Sequence, residues 1–176
     1  MFQIKRSAIA AAAAVILMHG SVRAQAPAGG WQQASDGPGR FTVMVPGALT
    51  ANPPQTDADG ITTYTFAARE PARVYLIVYA DGNPSNPRKE MDDARDTFLK
   101  GVGGTLVSQH DFKSAQPVGD AMATEFTARI PGRQADCKAR LFFHKTRLYM
   151  IGVVTLPGAG SALDVDKFLD SFRITS

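Results

Sequence analysis

Phe41, Val43 and Val45 alternate with Thr42 and Met44, and Tyr64 and Phe66 alternate with threonines between Thr62 and Ala68. This period of two is the signature of half-buried strands. Arg73 to Tyr79, RVYLIVY, is apolar on both of its faces. Such a strand needs cover on both sides, which predicts a central strand with one layer above it and another below. Upstream, WQQASDGPGRFTVMVPGAL, Trp31 to Leu49, reads as an aromatic opener, a turn of Asp36, Gly37, Pro38 and Gly39, and a short strand stopped by proline and glycine.

The period then becomes helical. In SNPRKEMDDARDTFLKG, Asn86 is placed to cap, Pro87 suits the first turn, and Met91, Ala94, Phe98, Leu99 and Val102 recur at helical spacing until glycines 101, 103 and 104. Arg88, Asp92, Asp96 and Lys100, four apart, make a solvated outer face. The second half repeats the order, with strands predicted at Gly104 to Phe112, Ala121 to Ile130, Asp136 to His144 and Arg147 to Leu156. A helix follows from Ser161, with Asp164 three residues on and Val165, Phe168, Leu169 and Phe172 in one stripe. RVYLIVY at Arg73 and RLYMIGV at Arg147 look alike; internal duplication and shared strand composition both account for that.

Two hairpins have a register. A type II turn at Pro131 and Gly132 sets Phe126 opposite Cys137 and Glu125 opposite Lys138. A tight turn at Lys145 and Thr146, residues that do not favour one, sets Phe143 beside Leu148 and Leu141 beside Met150. Both put Cys137, Ala139, Leu141 and Phe143 on one face and Lys138, Arg140, Phe142 and His144 on the other.

The first 24 residues stand outside this pattern. Lys5 and Arg6 precede an apolar run from Ala8 to Met18, and Val22 and Ala24 are small residues before a cut at Gln25, the layout of a secretory signal peptide too short for a permanent span. Residues 25–30 read as a flexible linker and 31–176 as a single domain, in a periplasmic or secreted protein with no membrane span after cleavage. The leader carries three of the chain's 19 basic residues and none of its 16 acidic ones, so the remainder is formally neutral. Nucleic-acid binding, which needs surplus Lys and Arg, is thereby disfavoured. With Cys137 as sole cysteine, neither an internal disulfide nor a lipid-bearing cysteine after the leader is available.

The early tryptophan, GRFTVMVPG, RVYLIVYAD, ARDTFLKGVGG, RLYMIGVV and the terminal FLDSFRI, in that order and spacing, resemble the Mog1/PsbP-like family over nearly all of the chain after the leader. The resemblance implies an α+β fold, a central antiparallel sheet with helices on both faces (an α/β/α sandwich), in which Trp31 and Phe41 close the start of the sheet over the core. It also implies a binding or assembly role, as in an extrinsic subunit of the photosynthetic oxygen-evolving complex and a regulator of a nuclear transport GTPase; many bacterial members of the family are secreted proteins of no known activity. No catalytic motif belongs to the family, so none is carried over.

Candidate chemistry is sparse. In SQHD, Ser108 and His110 share a strand face from which Asp111 points away, which reads as a polar strand edge and not a catalytic relay. DADG, Asp57 to Gly60, lacks the later ligands of a calcium loop and reads as a turn. His110 and His144 fall on different strands, and Cys137 reads as a small core residue. No catalytic residue, metal or cofactor is assigned. A partner-binding strip is: Lys138, Arg140, Phe142 and His144 on one strand face, with Arg129, Arg147 and Tyr149 brought beside them, suited to an acidic surface. The reading is a non-enzymatic secreted or periplasmic binding or assembly-accessory protein, its partner an envelope protein or a small apolar ligand. The alternative is a hydrolase or metal-dependent enzyme with a site assembled from distant loops.

Overall fold

The computed structural model describes residues 30–111 and 121–175. The leader, its cut site and the linker up to residue 29 lie outside them. Among the described residues six strands precede the first helix: β1 (Trp31–Asp36), β2 (Phe41–Pro46), β3 (Thr50–Ala51), β4 (Gln55–Thr56), β5 (Thr62–Glu70) and β6 (Arg73–Asp81). After α1 (Pro87–Val102) come β7 (Thr105–Asp111), β8 (Met122–Ile130), a 3₁₀ turn at Pro131–Arg133, β9 (Ala135–His144) and β10 (Arg147–Thr155). Helix α2 (Leu163–Ser171) and β11 (Arg173–Ile174) follow.

The large sheet runs β3-β5-β6-β10-β9-β8-β7, with β4 also on β5, and a small one runs β1-β2-β11. Every pairing is antiparallel. The two look-alike strands, β6 and β10, are neighbours at its centre, with Ile77 opposite Ile151. Both are buried on both faces, as their sequences require.

One face packs under α1, where Met91, Ala94, Phe98 and Leu99 meet Leu76, Phe126, Cys137 and Leu141. Asn86 accepts a hydrogen bond from the Lys89 amide at the start of α1, and Gly103, at φ 68°, ends it in the left-handed conformation. The other face is covered by α2 together with the small sheet, so Phe41, Val43 and Val45 join Tyr75, Ile77, Ile151, Phe168 and Phe172. The early strand is therefore part of a second sheet lying over the core. Trp31 meets Tyr75 edge-on at 5.8 Å, and Phe41 stacks on Phe172 at 5.8 Å.

The two hairpins came out differently. Phe143 faces Leu148 and Leu141 faces Met150, as expected, with Lys145 taking φ 56°. The other is offset by two residues: Phe126 faces Ala139, Glu125 faces Arg140, and Ala128 faces Cys137. The connection is a 3₁₀ turn closed by Gln134 at φ 51°, longer than a type II turn. An offset of two preserves the side-chain alternation, so each β9 residue keeps its expected face.

Candidate functional site

Lys138, Arg140 and Phe142 do share a face of β9, but α2 lies across it. Lys138 Nζ reaches Asp166 Oδ1 at 2.9 Å, and Arg140 Nη1 reaches Asp170 Oδ1 at 2.7 Å. Two strands away, on β6, Arg73 Nη1 reaches Asp164 at 3.0 Å. The acidic surface that the strip suits is the chain's own helix. Phe142 stacks on Phe172 at 5.4 Å and Tyr149 meets Phe172 edge-on at 5.6 Å, and both are buried. The expected open strip is thus corrected for Arg140, Phe142 and Tyr149: the aromatic surface between the charges draws in the apolar stripe of α2 and closes the site.

The rest of the strip is spread out. Arg147 faces His144 across the β9–β10 pair, grips Asp81 through Nε and Nη2 at 2.7 and 2.6 Å, and sets its guanidinium 4.7 Å from the Tyr79 ring centroid. The hydrogen bonds to Asp81 hold its pKa well above the ordinary arginine value. His144 is half-buried at the end of β9. Arg129 is exposed, opposite Asp136 at 3.7 Å.

Beneath the strip sits Glu125, its side chain 10% exposed, 2.7 Å from Arg140 Nε, 3.5 Å from Lys138 Nζ and 3.8 Å from His110 Nε2. Burial acts to lower the Lys138 pKa, but its hydrogen bond to Asp166 and the Glu125 charge outweigh that and raise it. His110 and His144 are not brought together. His110 lies level with Glu125 and hence with Arg140, about 13 Å along the strand from His144. Ser108 bonds Thr127 at 2.7 Å on the His110 side, whereas Asp111 pairs with Arg88 of α1 on the opposite face. SQHD is a strand edge without a relay. Asp57 Oδ1 accepts from the amides of Asp59 and Ile61 with Gly60 at φ 80°, so DADG is a turn. Cys137 is buried, and burial pushes its thiol up to about 12. Among the described residues no group of three or more His, Cys, Asp or Glu side chains is placed to hold a metal ion, and no helix is long and apolar enough to cross a membrane.

The feature that the sequence reading missed is the contrast between the two edges of the large sheet. One edge is blunted by β3 and β4, two residues each, with Pro53 and Pro54 between them. The other is β7, seven residues long, exposed at all but Gln109 and free of Lys, Arg and Pro. Val107 is 63% and Leu106 39% exposed, and the register with β8 skips between Leu106 and Ser108, which marks a bulge. Lys, other charges, Pro and short strands are the usual protection of an edge; among the described residues β7 has the bulge and the terminal Asp111, and no Lys, Arg or Pro. TLVSQHD, a strand pattern without Lys, Arg or Pro, was the available signal.

No protein-family profile matches the chain, and no curated protein does. Solved structures do. The solution structure of cyanobacterial PsbP (CyanoP) from Synechocystis sp. PCC 6803 superposes with a TM-score of 0.59 at 13% identity, over 89% of this chain and 98% of that one. A crystal structure from Bacteroides thetaiotaomicron VPI-5482 superposes with a TM-score of 0.40 at 13% identity, over 78% of this chain and 46% of that one. Antiparallel sheets, two helices on opposite faces and near-complete mutual coverage with the cyanobacterial protein together mean that this chain has a PsbP-like fold.

Proposed function

We propose that the protein is a non-enzymatic binding or assembly-accessory protein of the cell envelope, exported by its leader, and that it holds a partner protein along β7. The observation that carries this reading is the contrast of edges among the described residues: one short and interrupted by prolines, the other seven residues long and free of Lys, Arg and Pro. An extended segment of a partner adds to such an edge through main-chain hydrogen bonds. The bulge at Val107 breaks the side-chain alternation of β7, which disfavours a long symmetric pairing with a second copy and favours a short segment along Ser108 to Asp111. The PsbP-like fold supports the reading by analogy.

The test is capture from envelope extract by the exported protein, compared with Val107→Lys. A lysine at this exposed position obstructs strand addition without touching the core. One defined protein retained by the native chain and lost by Val107→Lys, with both melting alike, is the expected result. Retention of the same proteins by both chains, or enrichment of none, sinks the reading.

A further inference from the structure

Arg140 of β9, Glu125 of β8 and His110 of β7 stand directly opposite one another in a single row across three neighbouring strands, on the face that carries α2. The row continues inward to Asp170 of α2, whose Oδ1 is 2.7 Å from Arg140 Nη1, and outward to the imidazole, whose Nε2 is 3.8 Å from Glu125 Oε1. Its groups alternate in sign: carboxylate, guanidinium, carboxylate, imidazole. It ends at the open edge of the sheet, where the His110 side chain is 58% exposed.

The charges around the imidazole leave its outer side unmatched. From β8 it faces Glu125, but that carboxylate already holds Arg140 Nε at 2.7 Å and has Lys138 Nζ at 3.5 Å. From α2, Asp166 pairs with Lys138 and Asp170 with Arg140. Within β7, Ser108 shares the face of His110 and bonds Thr127, while Asp111 lies on the other face with Arg88 of α1. A protonated His110 is therefore the third cation on one carboxylate, beyond hydrogen-bond distance of it.

We propose, resting on the β7 reading, that the segment added to this edge carries an Asp or Glu directly opposite His110, and that a proton on His110 tightens its capture. An added strand, parallel or antiparallel, sets one side chain beside His110 on the same face, a strand spacing of about 4.8 Å farther out. A carboxylate there continues the alternation of the row, whereas Lys or Arg would set like charges directly opposite each other. Histidine changes charge between about pH 5 and 8, a range in which Asp and Glu stay ionised. Capture is thus stronger at the acid end of that range.

The probe is a displayed library of short random peptides, selected on the exported protein at about pH 5.5 and screened for loss of binding to Val107→Lys, which obstructs the edge. The expected peptides share one Asp or Glu at a fixed place. Replacing that acid by its amide, or His110 by Gln, should each weaken binding about fivefold at the acid pH, and both together no more than either alone. At about pH 8, neither change should matter. The amide peptide leaves the protein untouched, so the comparison holds even if His110→Gln melts differently. Edge-binding peptides that share no acid, or whose acid counts equally in native and His110→Gln chains, overturn this inference and leave the β7 reading standing. A library that yields no peptide sensitive to Val107→Lys overturns both.

Discussion

Arg140 donates from Nε to Glu125 Oε2 at 2.7 Å, and neither side chain is more than a tenth exposed. The pair spans neighbouring positions of β8 and β9 in the large sheet, and the same guanidinium continues to Asp170 on α2. It therefore fastens the helix layer to the sheet, from a buried pair on the sheet to a solvent-facing carboxylate on the helix. Removing one partner of such a buried pair leaves the other charge uncompensated, which costs about 3–5 kcal/mol. Arg140→Ala and Glu125→Ala should each destabilise on that scale in denaturant unfolding, whereas the joint change Arg140→Met with Glu125→Leu should recover most of the loss. Reversing Lys138 and Arg140 to glutamate sets the two new carboxylates against those of Glu125, Asp166 and Asp170 and should lower the melting temperature steeply. A melting temperature unchanged by the reversal would mean that α2 does not lie on these residues.

The face assignments behind that pair were legible in the sequence, but their meaning was not. Alternation along β9 separated Cys137, Ala139, Leu141 and Phe143 from Lys138, Arg140 and Phe142 correctly, because a strand has a fixed period of two. What would cover the charged face depended on the path of α2, a tertiary fact that no local pattern carries. The aspartates at 164, 166 and 170 were the available clue, passed over in favour of the apolar stripe among them. Strand β1 was read only as an opener because WQQASD has almost no apolar alternation; its pairing is imposed by β2. The register offset at Pro131 has a similar origin. The αL conformation of Gln134 lengthens the turn, and sequence preference reserves that region for glycine and asparagine.

The thiol of Cys137 should be slow to react in the native protein. Its residue is 2% exposed and burial pushes its pKa up to about 12, so at neutral pH it is both inaccessible and protonated. A thiol reagent should label it orders of magnitude faster in denaturant than in buffer. Rapid labelling of the folded protein would place this face of β9 in solvent and contradict its packing under α1.

Stability should fall on the alkaline side. Burial and the Glu70 hydrogen bond raise the Tyr75 pKa, burial and Asp36 raise that of Tyr79, and Lys138 is raised through Asp166 and Glu125. In the unfolded chain tyrosine and lysine lose their protons at about pH 10. The folded state keeps them longer, so it binds more protons than the unfolded state above that pH, and stability declines as pH rises. The stabilisation is complete below about pH 10 and is lost progressively above it. Melting temperatures across this window check the slope. A tyrosinate absorbance titration should show Tyr75 and Tyr79 ionising only with unfolding, and full ionisation of all four tyrosines in a native fold would refute it.

The last prediction concerns the DGPG turn between β1 and β2. Gly39 sits where a Cβ would lie 2.6 Å from Asp36 Oδ2, 2.6 Å from Tyr79 Cε1 and 2.9 Å from a Phe41 ring carbon. Contacts that short require one of these groups to move. None is free to do so: Asp36 Oδ2 accepts from the Gly39 amide at 2.6 Å and the Tyr79 hydroxyl at 3.2 Å, and the Gly39 carbonyl accepts from the buried Tyr149 hydroxyl at 2.9 Å. The glycine is thus the point at which the small sheet closes onto the tyrosines of β6 and β10. Gly39→Ala should cost about 1–3 kcal/mol through overpacking, although alanine is otherwise the mildest replacement for glycine. Gly37→Ala, where a Cβ meets nothing within 4 Å, is the matched control in the same turn and should be close to neutral. Near-ultraviolet circular dichroism should register the difference, because Tyr79 and Tyr149 lose their fixed environment only in the first variant. Equal stability and equal spectra for the two variants would show that the turn does not seat against Tyr79, and the small sheet would then need a different path across the core.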